Sequence, residues 1–73
     1  MAEYRRPGGH IFEYDTLRET GTNLWAVDGY LKSDPSVAIR TKTFKTKREA
    51  ALEFMKRARQ IVDLRKAKRQ ESR

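Results

Sequence analysis

From Thr46 onward the chain is committed to one long helix, and everything before it must give that helix a surface to pack on. Thr46-Lys47-Arg48-Glu49 has the spacing of a capping box, in which hydroxyl and carboxylate each close the other's free backbone N–H. Beyond it Ala51, Phe54, Met55, Ala58, Ile61 and Val62 recur at steps of three and four, an amphipathic stripe. Nothing breaks the pattern before Gln70. It predicts a helix from Lys47 to about Ala67, roughly 30 Å long at ~1.5 Å per residue.

The residues before Thr46 carry strand signals. Ile11 to Arg18 mixes β-branched and aromatic side chains with charges, and Leu24 to Leu31 does the same. Between them Glu19-Thr20-Gly21-Thr22-Asn23 are turn formers, which predicts a hairpin turning around Gly21. Ser33 to Ser36 breaks the chain again. Val37 to Phe44 then alternates, with Val37, Ile39, Thr41 and Thr43 on one face and Ala38, Arg40, Lys42 and Phe44 on the other. The expected architecture is α+β: a three-stranded antiparallel sheet followed by one long C-terminal helix (β-β-β-α). Residues 1–9, with Pro7-Gly8-Gly9, are expected to form a flexible N-terminal arm. Residues 10–67 make the single domain, and 68–73 a basic disordered tail. Trp25, Phe44 and Phe54 are the expected contact between sheet and helix.

Seventy-three residues allow one domain with a marginal core, because a chain this short buries only about 60% of its unfolded surface. There is no cysteine to reinforce it with a disulfide or a thiolate metal site. No run approaches the roughly 18 apolar residues of a membrane span, and the first residues lack a signal peptide's apolar core. The expectation is a soluble, cytoplasmic monomer, in a host cytoplasm if phage-encoded.

The formal net charge is +7, and its placement is uneven. From Pro7 to Met55, seven basic and seven acidic residues cancel. From Lys56 to Arg73, eight basic residues face only Asp63 and Glu71. A block of this kind attracts polyanions: nucleic acid, an acidic protein face or an anionic surface. A membrane partner is not expected, because the apolar stripe is needed by the sheet.

Chemistry-bearing groups are sparse. His10 is the lone histidine and cannot build a two-ligand metal site by itself. Glu13 and Asp15 share a strand face, but an acid/base pair needs burial to separate their pKa values. The simpler expectation is a solvated strand face, or salt-bridge pairing with Arg40 and Lys42. Gly8-Gly9 lacks the lysine-bearing helix start of a phosphate loop. No cofactor, small-molecule substrate or enzymatic activity is expected. Tyr4, Tyr14 and Tyr30 are either ordinary sheet residues or platforms for nucleobases.

The basic candidates fall into three groups: Arg5 and Arg6 in the arm; Arg40, Lys42, Lys45, Lys47 and Arg48 at the strand-to-helix junction; and Lys56, Arg57, Arg59, Arg65, Lys66, Lys68 and Arg69 on the helix and tail. The pattern Gly21…Trp25-Ala26-Val27, then Arg40…Phe44-Lys45-Thr46-Lys47-Arg48-Glu49-Ala50-Ala51, resembles the arm-type DNA-binding domain of phage tyrosine integrases. The plant ethylene-response DNA-binding domain is similar. The resemblance spans about Gly21 to Ala58. It implies a three-stranded sheet lying in the major groove, supported from behind by a helix. Glu13, Asp15 and Asp28 distinguish the present strands from a groove reader, whose side chains must neutralise phosphates and donate to bases.

Two functions compete. The first is a non-enzymatic regulator of a nucleic-acid transaction such as transcription, binding DNA or RNA through the basic helix and tail. The second is a phage-type regulator that docks by protein contacts on bacterial RNA polymerase and inhibits or modifies it. The second rests on size and type rather than on a motif.

Overall fold

A computed structural model describes residues 2–71, with side chains up to Ala67. The chain folds into four strands, β1 (Ala2–Arg6), β2 (His10–Arg18), β3 (Trp25–Leu31) and β4 (Asp34–Arg40), followed by helix α1 (Lys47–Glu71). The sheet is antiparallel throughout, in the order β1-β2-β3-β4. The α+β class with one C-terminal helix matches expectation, but the sheet has four strands rather than three.

The extra strand comes from the segment expected to be a flexible arm. Ala2 to Arg6 pairs with Tyr14 to His10, residue by residue. Pro7-Gly8-Gly9 is the turn between these strands, with Gly8 and Gly9 at φ 90° and 81°, a region open to glycine but costly for other residues. His10 closes it, its Nδ1 lying 3.4 Å from the Pro7 carbonyl oxygen. The breakers mark a hairpin turn, not a loose end.

The second hairpin forms where Gly21 predicts it. Glu19 N–H donates to Leu24 O at 3.0 Å, and Gly21 takes φ 78°. The last strand begins at Asp34, three residues before Val37, and ends at Arg40. It tolerates Pro35 because it is an edge strand, with one row of N–H groups outside the ladder.

Strand alternation and register divide the sheet into two faces. Tyr4, Phe12, Tyr14, Val27, Gly29, Leu31, Val37, Ile39 and Thr41 face α1. Glu3, Arg5, Glu13, Asp15, Leu17, Ala26, Asp28, Tyr30 and Arg40 share the open face. The core between sheet and helix consists of Phe12, Val27, Leu31 and Ile39 against Ala50, Phe54, Ala58 and Val62. Phe54 is its centre, meeting Phe12 edge-on at 6.2 Å and Tyr14 at 5.0 Å between ring centroids. Trp25 and Phe44, expected beside Phe54 in the core, are half-buried at its margin.

The start of α1 is capped by Thr46. Its Oγ1 accepts the Glu49 N–H at 3.1 Å, and Ala50 N–H reaches Thr46 O at 3.3 Å. Glu49 does not return the bond to backbone; its carboxylate accepts from the Thr46 hydroxyl at 3.1 Å. Only half of the expected capping box forms. The helix leaves the sheet beside Trp25 and reaches Asp34 through Arg65, so it runs antiparallel to β4. It extends to Glu71, beyond the expected end near Ala67 and into the tail expected to be disordered. Ser72 and Arg73 lie outside the described residues.

Candidate polyanion-binding surface

The junction between β4 and α1 is held by three local devices. Thr41 is buried, its Oγ1 accepting the Val27 N–H at 2.9 Å and donating to Lys42 O at 2.8 Å. Phe44 and Trp25 exchange backbone hydrogen bonds of 2.7 Å in both directions. Lys47 Nζ stands 4.6 Å from the centre of the Trp25 ring, a cation–π contact. These fix the chain from Thr41 to Lys47 while Lys42, Lys45 and Arg48 remain exposed.

The predicted cations divide by what they touch. Lys47 is engaged with Trp25. Arg57 Nη1 donates to the Arg40 carbonyl at 2.7 Å, and Arg65 reaches Asp34 at 3.7 Å. Arg5 lies 3.4 Å from Glu3. Arg6 is half-buried on the helix-facing side, with an Nε that has no hydrogen-bond partner. Arg40, Lys42, Lys45, Arg48, Lys56, Arg59 and Lys66 are exposed and lie within 4.0 Å of no carboxylate among the described residues. The side chains of Lys68 and Arg69 lie outside the described residues.

Four of these unpaired cations, Arg48, Lys56, Arg59 and Lys66, fall on one stripe of α1. At 100° per residue its centre lies about 125° around the helix from that of the buried row Ala50, Phe54, Ala58 and Val62. Only Asp63 and the exposed Leu52 interrupt it. The stripe is about 27 Å long at ~1.5 Å per residue. Lys42 and Lys45 extend the positive charge from its N-terminal end toward the sheet.

The open sheet face behaves differently. Lys32 lies 3.6 Å from Glu3 and 3.9 Å from Glu13, and Tyr30 donates its hydroxyl to Glu13. That hydrogen bond, then burial, then the nearby Glu13 and Asp15 charges hold the Tyr30 phenol above its ordinary value of 10.0. Glu13 therefore takes Tyr30 and Lys32 as partners, not the expected Arg40 and Lys42. Among the tyrosines, Tyr4 and Tyr14 pack toward the helix, and Tyr30 is tied to a carboxylate. None of the three stands as a bare stacking platform.

Sequence reasoning missed one feature of this face. Leu17 is in phase with Glu13 and Asp15, so a large apolar side chain stands on a charged surface, 42% exposed. The alternation within β2 was the signal that could have found it.

No protein-family model matches this chain, and no curated protein or solved structure matches it significantly, so the site is read from its own residues.

Proposed function

We infer that the chain is a small non-enzymatic regulatory binding protein of a nucleic-acid transaction such as transcription, gripping DNA or RNA by its phosphates. The carrying observation is the set of exposed cations on α1 and the β4–α1 junction that have no carboxylate partner among the described residues. Charges left unpaired keep their full field for a polyanion, whereas those already matched contribute little. The contacts are to phosphate, so they supply affinity without sequence discrimination.

Salt tests this directly. Binding to mixed-sequence duplex DNA and to RNA is expected to weaken linearly in log–log form as salt rises, with a slope near −0.9 per phosphate neutralised on B-DNA. The double variant Lys56→Gln, Arg59→Gln should flatten the duplex slope by about two units. A slope near zero would reject the reading.

A second reading has one observation in its favour. The open sheet face mixes Tyr30, Leu17 and Asp28 with internally paired charges, a composition suited to a protein partner. In this reading the chain docks on bacterial RNA polymerase and modifies it. Retention of purified polymerase after nuclease treatment, together with weak binding to free DNA, would favour docking over direct nucleic-acid binding.

A further inference from the structure

We propose that the end of the open sheet face beside the β4–α1 junction holds a basin for one unpaired nucleotide of a single strand, an inference that rests on the nucleic-acid reading above. The basin is a half-open depression of about 470 Å³. That volume falls within the usual ~300–1,000 Å³ of small-molecule sites. It is lined by the cross-strand pair Leu17 and Ala26, which stand opposite one another in the β2–β3 register. Arg18, Arg40 and Lys42 also line it, with Glu19, Thr20, Thr41 and Thr43.

Each part of this arrangement matches a part of a nucleotide. The exposed Leu17 side chain offers an apolar surface for the face of a base, and covering it removes apolar area from water. Arg40 and Lys42 are two residues apart, so their backbones are separated by about 6.6 Å in extended chain. That spacing is on the scale of one nucleotide step along a backbone. The Thr20 and Thr43 hydroxyls can each donate and accept, as the edge of a base requires, and Glu19 can accept from a base N–H such as the N3–H of thymine.

Glu19 repels a peptide carboxylate and a phosphate alike, so it does not choose between them; the exposed Leu17 surface does, because a flat base covers it and an acidic side chain does not. Duplex DNA is disfavoured for a different reason. Its bases are stacked and paired, and extruding one costs a few kcal/mol, a cost least for strands that are already single. The basin therefore selects for single-stranded nucleic acid, while the helix stripe supplies affinity for phosphate in either form.

Fluorescence anisotropy with three labelled probes of equal length tests the proposal: an oligothymidylate, an abasic strand with the same phosphates, and a duplex. The oligothymidylate is expected to bind roughly fivefold or more tighter than the abasic strand, the scale of one buried apolar contact. Leu17→Glu should abolish that preference, and Leu17→Ala should reduce it. Far-ultraviolet circular dichroism and Trp25 emission check that both variants fold. Arg40→Gln with Lys42→Gln should lower the salt slope for the oligothymidylate by about one and a half units.

Equal binding of oligothymidylate and abasic strand by the native chain overturns the basin and leaves the phosphate-binding function standing. So does a base preference that survives in Leu17→Glu. Displacement of the probe by a polyglutamate peptide as effectively as by unlabelled oligothymidylate would overturn it in favour of an acidic protein segment. Failure of all three probes to bind at low salt rejects the nucleic-acid function itself.

Discussion

The ring of Phe54 occupies the space in which a β-carbon on Gly29 would stand. Such a carbon would meet Phe54 Cε2 and Cζ at 2.8 Å and crowd the Glu13 carbonyl oxygen on the neighbouring strand. Gly29 is thus a notch in β3 that seats the helix. Both neighbours are rigid, one an aromatic ring in the core and the other backbone. Gly29→Ala is expected to destabilise the fold by about 1–3 kcal/mol or somewhat more through overpacking. A urea melt checks it: the midpoint should fall while the slope stays constant. An unchanged midpoint would mean that α1 shifts away from the sheet without loss.

The first strand gives the second prediction. Tyr4 packs against the core, and Ala2 to Arg6 forms five register pairs with β2. A flexible arm could be removed without consequence; an edge strand cannot. Deleting residues 1–6 should lower the thermal midpoint by several degrees, because for a domain of this size each 1 kcal/mol is worth about 4–8 °C. Tyr4→Ala in the full chain should reproduce part of that loss. A truncated chain that melts with the native one would return the segment to the status of an arm.

These two sites show what was legible in the sequence and why the rest was not. Phe54 and the small residues Ala58 and Ala51 announce a helix face by their spacing. Val37 and Ile39 announce a strand by alternation, and the turn at Gly21 falls where its neighbours place it. The first strand was hidden by Arg5-Arg6-Pro7-Gly8-Gly9, whose residue types fit a loose arm as well as a strand and tight turn. Pairing with β2 decides between them, and pairing is a tertiary fact. Gly29 carried no local signal either, since its role depends on Phe54, twenty-five positions later in the chain. At the candidate surface the cations were legible as residue types. Which were spoken for was not, because Arg57 finds Arg40, and Arg65 finds Asp34, only across the fold.

Asp34 and Tyr30 predict how stability changes at the two ends of the pH scale. The Ser36 hydroxyl donates to Asp34 at 2.6 Å, and this bond is the main cause that holds the carboxyl below its ordinary 3.8, with Arg65 adding to it. A carboxyl depressed by folding stabilises the fold above its unfolded value, and that contribution disappears as pH falls through the lower folded value. Tyr30 works in the opposite sense. Its phenol is raised above 10.0, so it stabilises the fold below that pH and loses the contribution as pH rises through the folded value. NMR titration should place the Asp34 midpoint below 3.8, with Ser36→Ala raising it more than Arg65→Gln. Tyr30→Phe should remove the tyrosine's part of the alkaline loss. An Asp34 midpoint that responds only to Arg65 would reverse the order of causes.

Arg57 stands on the side of the helix away from the stripe of Arg48, Lys56, Arg59 and Lys66. β4 is an edge strand, and an exposed edge offers unpaired N–H and C=O groups to another chain. The Arg57 guanidinium covers one of them by donating to the Arg40 carbonyl at 2.7 Å, and the Arg65–Asp34 pair stands near the other end of the strand. Between them Val37, Ile61 and Leu64 line an apolar groove, and Leu64 is 68% exposed. An edge flanked by such a groove is the surface most prone to pair with a second copy. Arg57→Ala removes the cover with little direct cost to stability, since an exposed charged contact is worth about 1 kcal/mol at most. The expected result is concentration-dependent self-association of the variant, measured by sedimentation velocity, under conditions where the native chain sediments as a monomer. Adding Leu64→Glu to the variant should restore the monomer by placing a charge in the groove. If Arg57→Ala stays monomeric at the highest concentration tested, strand β4 is protected by Pro35 without it, and the guanidinium serves only to fasten helix to sheet.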